Sequence, residues 1–202
     1  MAKRESTFGN MVLVLLVVTL VSATILGFVY DLTKDAIDLA KMKAQSEAIE
    51  KVLPAFDDLG DALKIAIANP GDSLEVFPAL QNGALVGVAV KSFTNKGFSG
   101  FISVMVGIDK AGSIYGYEVL EHAETPGLGS KMDSWFRETE KPGQCIIGKN
   151  PESYKFEVTK DGGDIDAITA STISSRAFLG ALVRAYDVYK KKENEIAGHA
   201  GE

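Results

Sequence analysis

The stretch from Asp166 to Leu182 reads DAITASTISSRAFLGAL. Five hydroxyl residues, Thr169, Ser171, Thr172, Ser174 and Ser175, gather where an amphipathic pattern begins. Two kinds of chemistry suit such a cluster. One is capping: a side-chain oxygen accepts one of the N–H groups that the first turn of a helix leaves unpaired. Capping accounts for one or two of the five. The other is an anion site, because the free N–H groups and the helix dipole favour a phosphate at that end. The residues alone leave both open. A nucleophilic hydrolase is a weaker third reading. No G-x-S-x-G elbow is present, and the only candidate base, His122, is far away in sequence.

A second constellation, HAETPGLGSKMDSWF, runs from His122 to Phe136. Pro126-Gly127, followed by Gly129, makes a tight backbone that can come close to a ligand. Glu124, Thr125 and Lys131 supply polar groups, and Leu128 and Trp135 supply apolar cover. The plainer reading is a surface turn between a strand and a short helix.

Several classes are disfavoured. A net charge of -6 argues against nucleic acid as the main partner, which needs a basic face. A single cysteine, Cys145, rules out an internal disulfide and a cysteine-only metal site. Two separated histidines, His122 and His199, make a histidine-rich metal site a poor reading. No catalytic residue and no metal ligand set is expected.

The elements around the two constellations follow from hydropathy and period. Met11 to Tyr30 carries no charge, and twenty helical residues span roughly 30 Å, about one hydrocarbon core. Lys3 and Arg4 precede this run and Asp31 follows it, a bias that favours a cytoplasmic segment over 1–10 and an exported remainder. The competing reading is a signal peptide cleaved after Ala23. Residues 31–53 repeat apolar positions at helical spacing, as a stalk, and Pro54 ends it. Pro70-Gly71 marks a break. SLEVFPAL, ALVGVAVKSF, GFISVMVGID and SIYGYEVLEH read as strands joined by turns, which predicts antiparallel hairpins. Ser130–Glu138 reads as a short helix and SYKFEV as another strand. From Ile173 the pattern is helical, with Ala177, Phe178, Ala181, Leu182, Ala185, Tyr186 and Tyr189 on one stripe. The fold class is α+β: one N-terminal transmembrane helix, then an extracytoplasmic domain over 54–202 with an antiparallel sheet and packed helices.

Taken together, DAITASTISS resembles the flavinylation motif of FMN-binding domains, D-x-x-(S/T)-G-A-T-x-(S/T)-(S/T), and HAETPGLG is similar to the H-x-E-T-P-G-L-G stretch of the same domains. The single anchor and the length look like the G-subunit family of Rnf ion-translocating oxidoreductase complexes, related to the C-subunit of the sodium-pumping NADH:quinone reductase. The resemblance covers essentially the whole chain. It implies covalent FMN on Thr172 through a phosphoester, installed by a Mg-dependent flavin transferase that uses FAD. Asp166, Thr169 and Ser175 match the motif and Ser174 is a permitted variant. Ala170 stands where Gly is usual, and Ser171 where Ala is usual. Ile173 to Ser175 would seat the phosphate, while the loop of Glu124, Thr125, Gly127, Leu128, Gly129 and Lys131, with Trp135, would cover the isoalloxazine. The implied role is electron relay beside other membrane proteins of one complex, some also flavin-bearing. That complex couples ferredoxin and NAD oxidoreduction to sodium or proton transport at a bacterial inner membrane. A rival from another class is an anchored binding or assembly module without cofactor, in which the hydroxyls only cap a helix.

Overall fold

The computed structural model describes residues 7–67 and 72–199. Lys3, Arg4 and the Pro70-Gly71 break lie outside the described residues. The chain divides into two compact units, Met1–Lys43 and Ala44–Glu202. Helix α1, Phe8–Val52, begins in the first and ends in the second.

Within the first unit α1 carries the uncharged run. Among the described residues this is the one helix long and apolar enough to cross a membrane. Its threonines satisfy themselves. The Thr19 hydroxyl donates to the Leu15 carbonyl at 2.9 Å, and that of Thr24 to the Leu20 carbonyl at 2.8 Å. Such back-bonding hides a hydroxyl from an apolar surrounding.

The second unit is built on an antiparallel sheet. Strands β3 (Ser73–Gln81), β4 (Ala84–Thr94), β5 (Ile102–Asp109) and β6 (Ile114–His122) form a meander. Asn82-Gly83 turns β3 into β4 with φ of 51° and 75°, the left-handed pair that a two-residue hairpin demands. Two short strands, β1 (Asp58–Leu59) and β2 (Leu63–Ala66), both pair with β3. Neither was expected, because runs of two and four residues are too short to show a period. Helix α2 covers Met132–Trp135 after a 3-10 turn at Gly129–Lys131, shorter than the helix expected over Ser130–Glu138. Helix α3 runs Thr172–His199.

Alternation sends the strand side chains into two cores. Val88 and Val90 of β4, with Val104, Val106 and Ile108 of β5, pack with Phe178, Leu182 and Ala185 of α3. Ala89 and Met105, with Phe77 and Ala79, pack with Ala48, Ile49 and Val52 at the end of α1. Burying a side chain such as Val52 contributes about 1.5–3 kcal/mol. The close approach of α1 rests on Gly107 and Gly116, which face each other across β5 and β6. A Cβ on Gly107 would overlap the Val52 carbonyl, and one on Gly116 would stand 3.1 Å from the Val52 Cα.

The expectation of a strand at SYKFEV is corrected. This segment is irregular, and only Val158 makes a bridge, parallel to Ile165. Its alternation has another cause. Tyr154 closes a turn on the Asn150 carbonyl at 2.9 Å, and the Lys155 N–H donates to the Asp164 carboxylate at 2.7 Å. With its donors taken locally, the segment sends Phe156 and Val158 inward without a ladder.

Candidate functional site

Three chain segments meet at one cavity of about 310 Å³. It is lined by Phe98 from the β4–β5 loop, Glu124, Thr125, Leu128 and Gly129 from the loop after β6, and Ala170 to Ser174 from the start of α3. The volume lies at the low end of small-molecule sites, enough for a planar ring system.

The start of α3 is shaped by a turn. The Ser171 N–H donates to the Ile168 carbonyl at 2.9 Å, closing Ile168-Thr169-Ala170-Ser171. Ala170 has φ of 63°. A left-handed third residue is the mark of a type II turn, where glycine is the natural occupant. The Ser175 hydroxyl fixes this turn from inside: it accepts the Ile168 N–H and donates to the Ser171 carbonyl, both at 2.9 Å. The Ser175 N–H also reaches the Ser171 carbonyl, at 3.0 Å, as the first helical bond. The N–H groups of Thr172, Ile173 and Ser174 precede it and have no acceptor within the helix. Thr172 itself is half-buried at the cavity.

The loop after β6 repeats the device. The Leu128 N–H donates to the Thr125 carbonyl at 3.2 Å across Pro126-Gly127, and Gly127 has φ of 76°. The Ser130 hydroxyl accepts the Gly127 N–H at 2.9 Å. In the β4–β5 loop, Gly97 and Gly100 exchange two backbone bonds, at 3.0 and 3.2 Å, and lift Phe98 out at 68% exposure.

The hydroxyl cluster thus divides. Ser174 and Ser175 are buried and bonded, Ser171 is buried at the cavity, Thr172 lines it, and Thr169 is exposed. Ile173 and Leu128 are exposed at its rim. Lys131 is exposed and Gly127 sits at the turn; neither lines the cavity. Trp135 does not line it either. Its indole Nε1–H donates to the Asp166 carbonyl at 2.9 Å, and the Asp166 N–H donates to the Gly143 carbonyl at 2.6 Å. This holds the run into the turn. Arg176, in the first turns of α3, grips Asp161 through two bonds of 2.6 and 2.8 Å. That hydrogen bonding holds the Asp161 carboxyl below its usual range. Phe98 and Ser99 were missed by sequence reasoning; an aromatic between two glycines in a turn was the available signal.

A larger cleft, about 700 Å³, lies beside β2 and α3, lined by Lys96, Arg184 and Lys191 among others. Among the described residues it is lined by no hydroxyl side chain and by neither motif, so the chemistry points to the smaller cavity.

Residues 97–187 match the model of the FMN-binding domain, a span that opens at the Gly97 loop and contains the whole cavity. The chain carries an FMN-binding domain of α+β form. Over nearly its full length it is similar to the G-subunit of the ion-translocating oxidoreductase complex of Aliivibrio fischeri strain MJ11, 30% identical, with 95% of this chain and 94% of that protein covered. The corresponding protein of Vibrio vulnificus is 32% identical over 82% of this chain and 81% of its own. That of Cereibacter sphaeroides is 31% identical over 88% and 82%. The chain belongs to the G-subunit family of ion-translocating oxidoreductase complexes.

Proposed function

We propose that this protein is a flavin electron-transfer component of an ion-translocating membrane oxidoreductase, holding FMN covalently through a phosphoester on Thr172. One observation carries the reading: Thr172 lines the cavity as the first residue of α3, beside N–H groups that lack helical acceptors. A phosphodiester on that hydroxyl keeps one negative charge, which the helix end stabilises by about 0.3–1 kcal/mol or more. Phe98, Leu128 and Ile173 offer apolar surface to a ring system at the mouth. When bound, the flavin supplies the electron transfer, and the protein supplies position and electrostatics.

In attachment, the Thr172 oxygen forms a bond to the FMN phosphorus of FAD. The bond from that phosphorus to the bridging oxygen breaks, AMP leaves, and the hydroxyl proton is released. A flavin transferase with Mg is the partner for this step. The domain works on the outer side of a bacterial inner membrane, anchored by α1 and assembled with other redox proteins of the complex. The complex couples ferredoxin and NAD oxidoreduction to sodium or proton movement. Supporting this are the apolar run of α1 and the family relationship.

The test is co-expression with a flavin transferase, denaturing electrophoresis and in-gel flavin fluorescence. The expected outcome is a fluorescent band that persists in Ser171→Ala and is lost in Thr172→Ala. No band, beside a positive-control substrate, would leave the cofactor-free module as the reading.

A further inference from the structure

Glu124 has no part in the attachment chemistry, yet it is the most heavily engaged side chain of the cavity. It is 4% exposed. Its Oε2 accepts the Ser174 hydroxyl at 2.6 Å and its Oε1 accepts the Ser99 N–H at 3.2 Å. Its own N–H donates to His122 Nδ1 at 3.1 Å. The carboxyl therefore joins all three segments that form the cavity.

Space is reserved for it. A Cβ on Gly129 would stand 2.5 Å from Oε2 and 2.7 Å from the Ser174 Oγ, and one on Gly97 would stand 2.5 Å from Oε1. Two glycines on separate loops thus leave the carboxyl its place. No Lys or Arg is among the residues lining the cavity. Both oxygens meet donors. Burying a carboxyl in this way is costly. A leucine of similar volume would serve packing better, so the arrangement calls for an electrostatic purpose.

We propose that Glu124 sets the reduction potential of the site: a negative charge fixed by Ser174 and Ser99 that disfavours electron uptake by the bound flavin. The proposal rests on the cavity being the flavin site. Two electrons from the donor and one proton from solvent leave a reduced flavin with one more negative charge than before. A like charge in a partly desolvated wall opposes that addition far more than it would in water. Glu124 thereby makes the reduced cofactor a stronger donor to the next centre.

The experiment uses the full chain in detergent, flavinylated by co-expressed transferase. Glu124→Gln keeps the shape and an acceptor for Ser174 and removes the charge. The expected result, read on the loaded fraction, is a midpoint potential shifted in the positive direction in spectroelectrochemical titration. A midpoint equal to that of the parent protein, with the band intact, overturns the proposal. Loss of the band from the parent protein instead overturns the flavin reading, so the two failures are distinct. Should Glu124→Gln not load flavin, Ser174→Ala leaves the charge in place and removes the donor that partly neutralises it. A negative shift supports the proposal there, and an unmoved or positive midpoint overturns it.

Discussion

Two turns of one kind border the cavity, and they are built from opposite materials. Thr125-Pro126-Gly127-Leu128 has proline second and glycine third, the residues whose own preferences match a type II turn. Ile168-Thr169-Ala170-Ser171 has threonine second and alanine third, and Ala170 still takes φ of 63°. For an L-residue that conformation costs roughly 1–2 kcal/mol. The first turn suits its own sequence, and the Ser130 hydroxyl ties it as well. The second is imposed by its surroundings: the Ser175 hydroxyl, the buried Ile168 and the first helical bond. The strained turn is the one that leads directly into Thr172. Ala170 stands where the motif it resembles has Gly, and it takes the left-handed conformation nonetheless.

Three substitutions probe this contrast. Ala170→Val puts a β-branched residue at positive φ, and about 2–3 kcal/mol of stability should be lost. In thermal unfolding of the detergent-solubilised protein it should give the largest drop of the three. Gly127→Ala imports the strain of the second turn into the first. No atom lies within 4 Å of the added Cβ, so the loss of about 1–2 kcal/mol is purely a backbone effect. A loss near zero would show that left-handed alanine carries no such cost in this turn. Ala170→Gly removes the strain but adds unfolded-state freedom, for a net gain of about 0.5–1 kcal/mol. Its flavin band should stay at least as strong as in the parent protein, since the turn is unchanged.

The legible parts of the fold were those with a long period. Strands β3 to β6 and helix α3 announced themselves by alternation and by a 3.6-residue stripe. SYKFEV misled because alternation reports which side chains point inward, not where the backbone donors go. Gly107 and Gly116 were visible as glycines inside strands, a known sign of close approach, but nothing in the sequence said that Val52 was the visitor. At the site, the loop after β6 and the hydroxyl cluster were both found, and the cavity joins them. Phe98 and Ser99 lay far upstream of the cluster and carried no motif. The Glu124–Ser174 bond crosses fifty positions, a distance over which residue types alone cannot pair partners.

The placement of the last turns of α1 also governs how a water-soluble version of this protein has to be cut. Ala48, Ile49 and Val52 are the lid over Phe77, Ala79, Ala89 and Met105. A fragment begun at Pro54, where the helix visibly stops, would uncover that whole apolar face and invite self-association. Begun at Ala44, it keeps the lid and discards the greasy part, so the useful scissor point lies inside the helix rather than at its end.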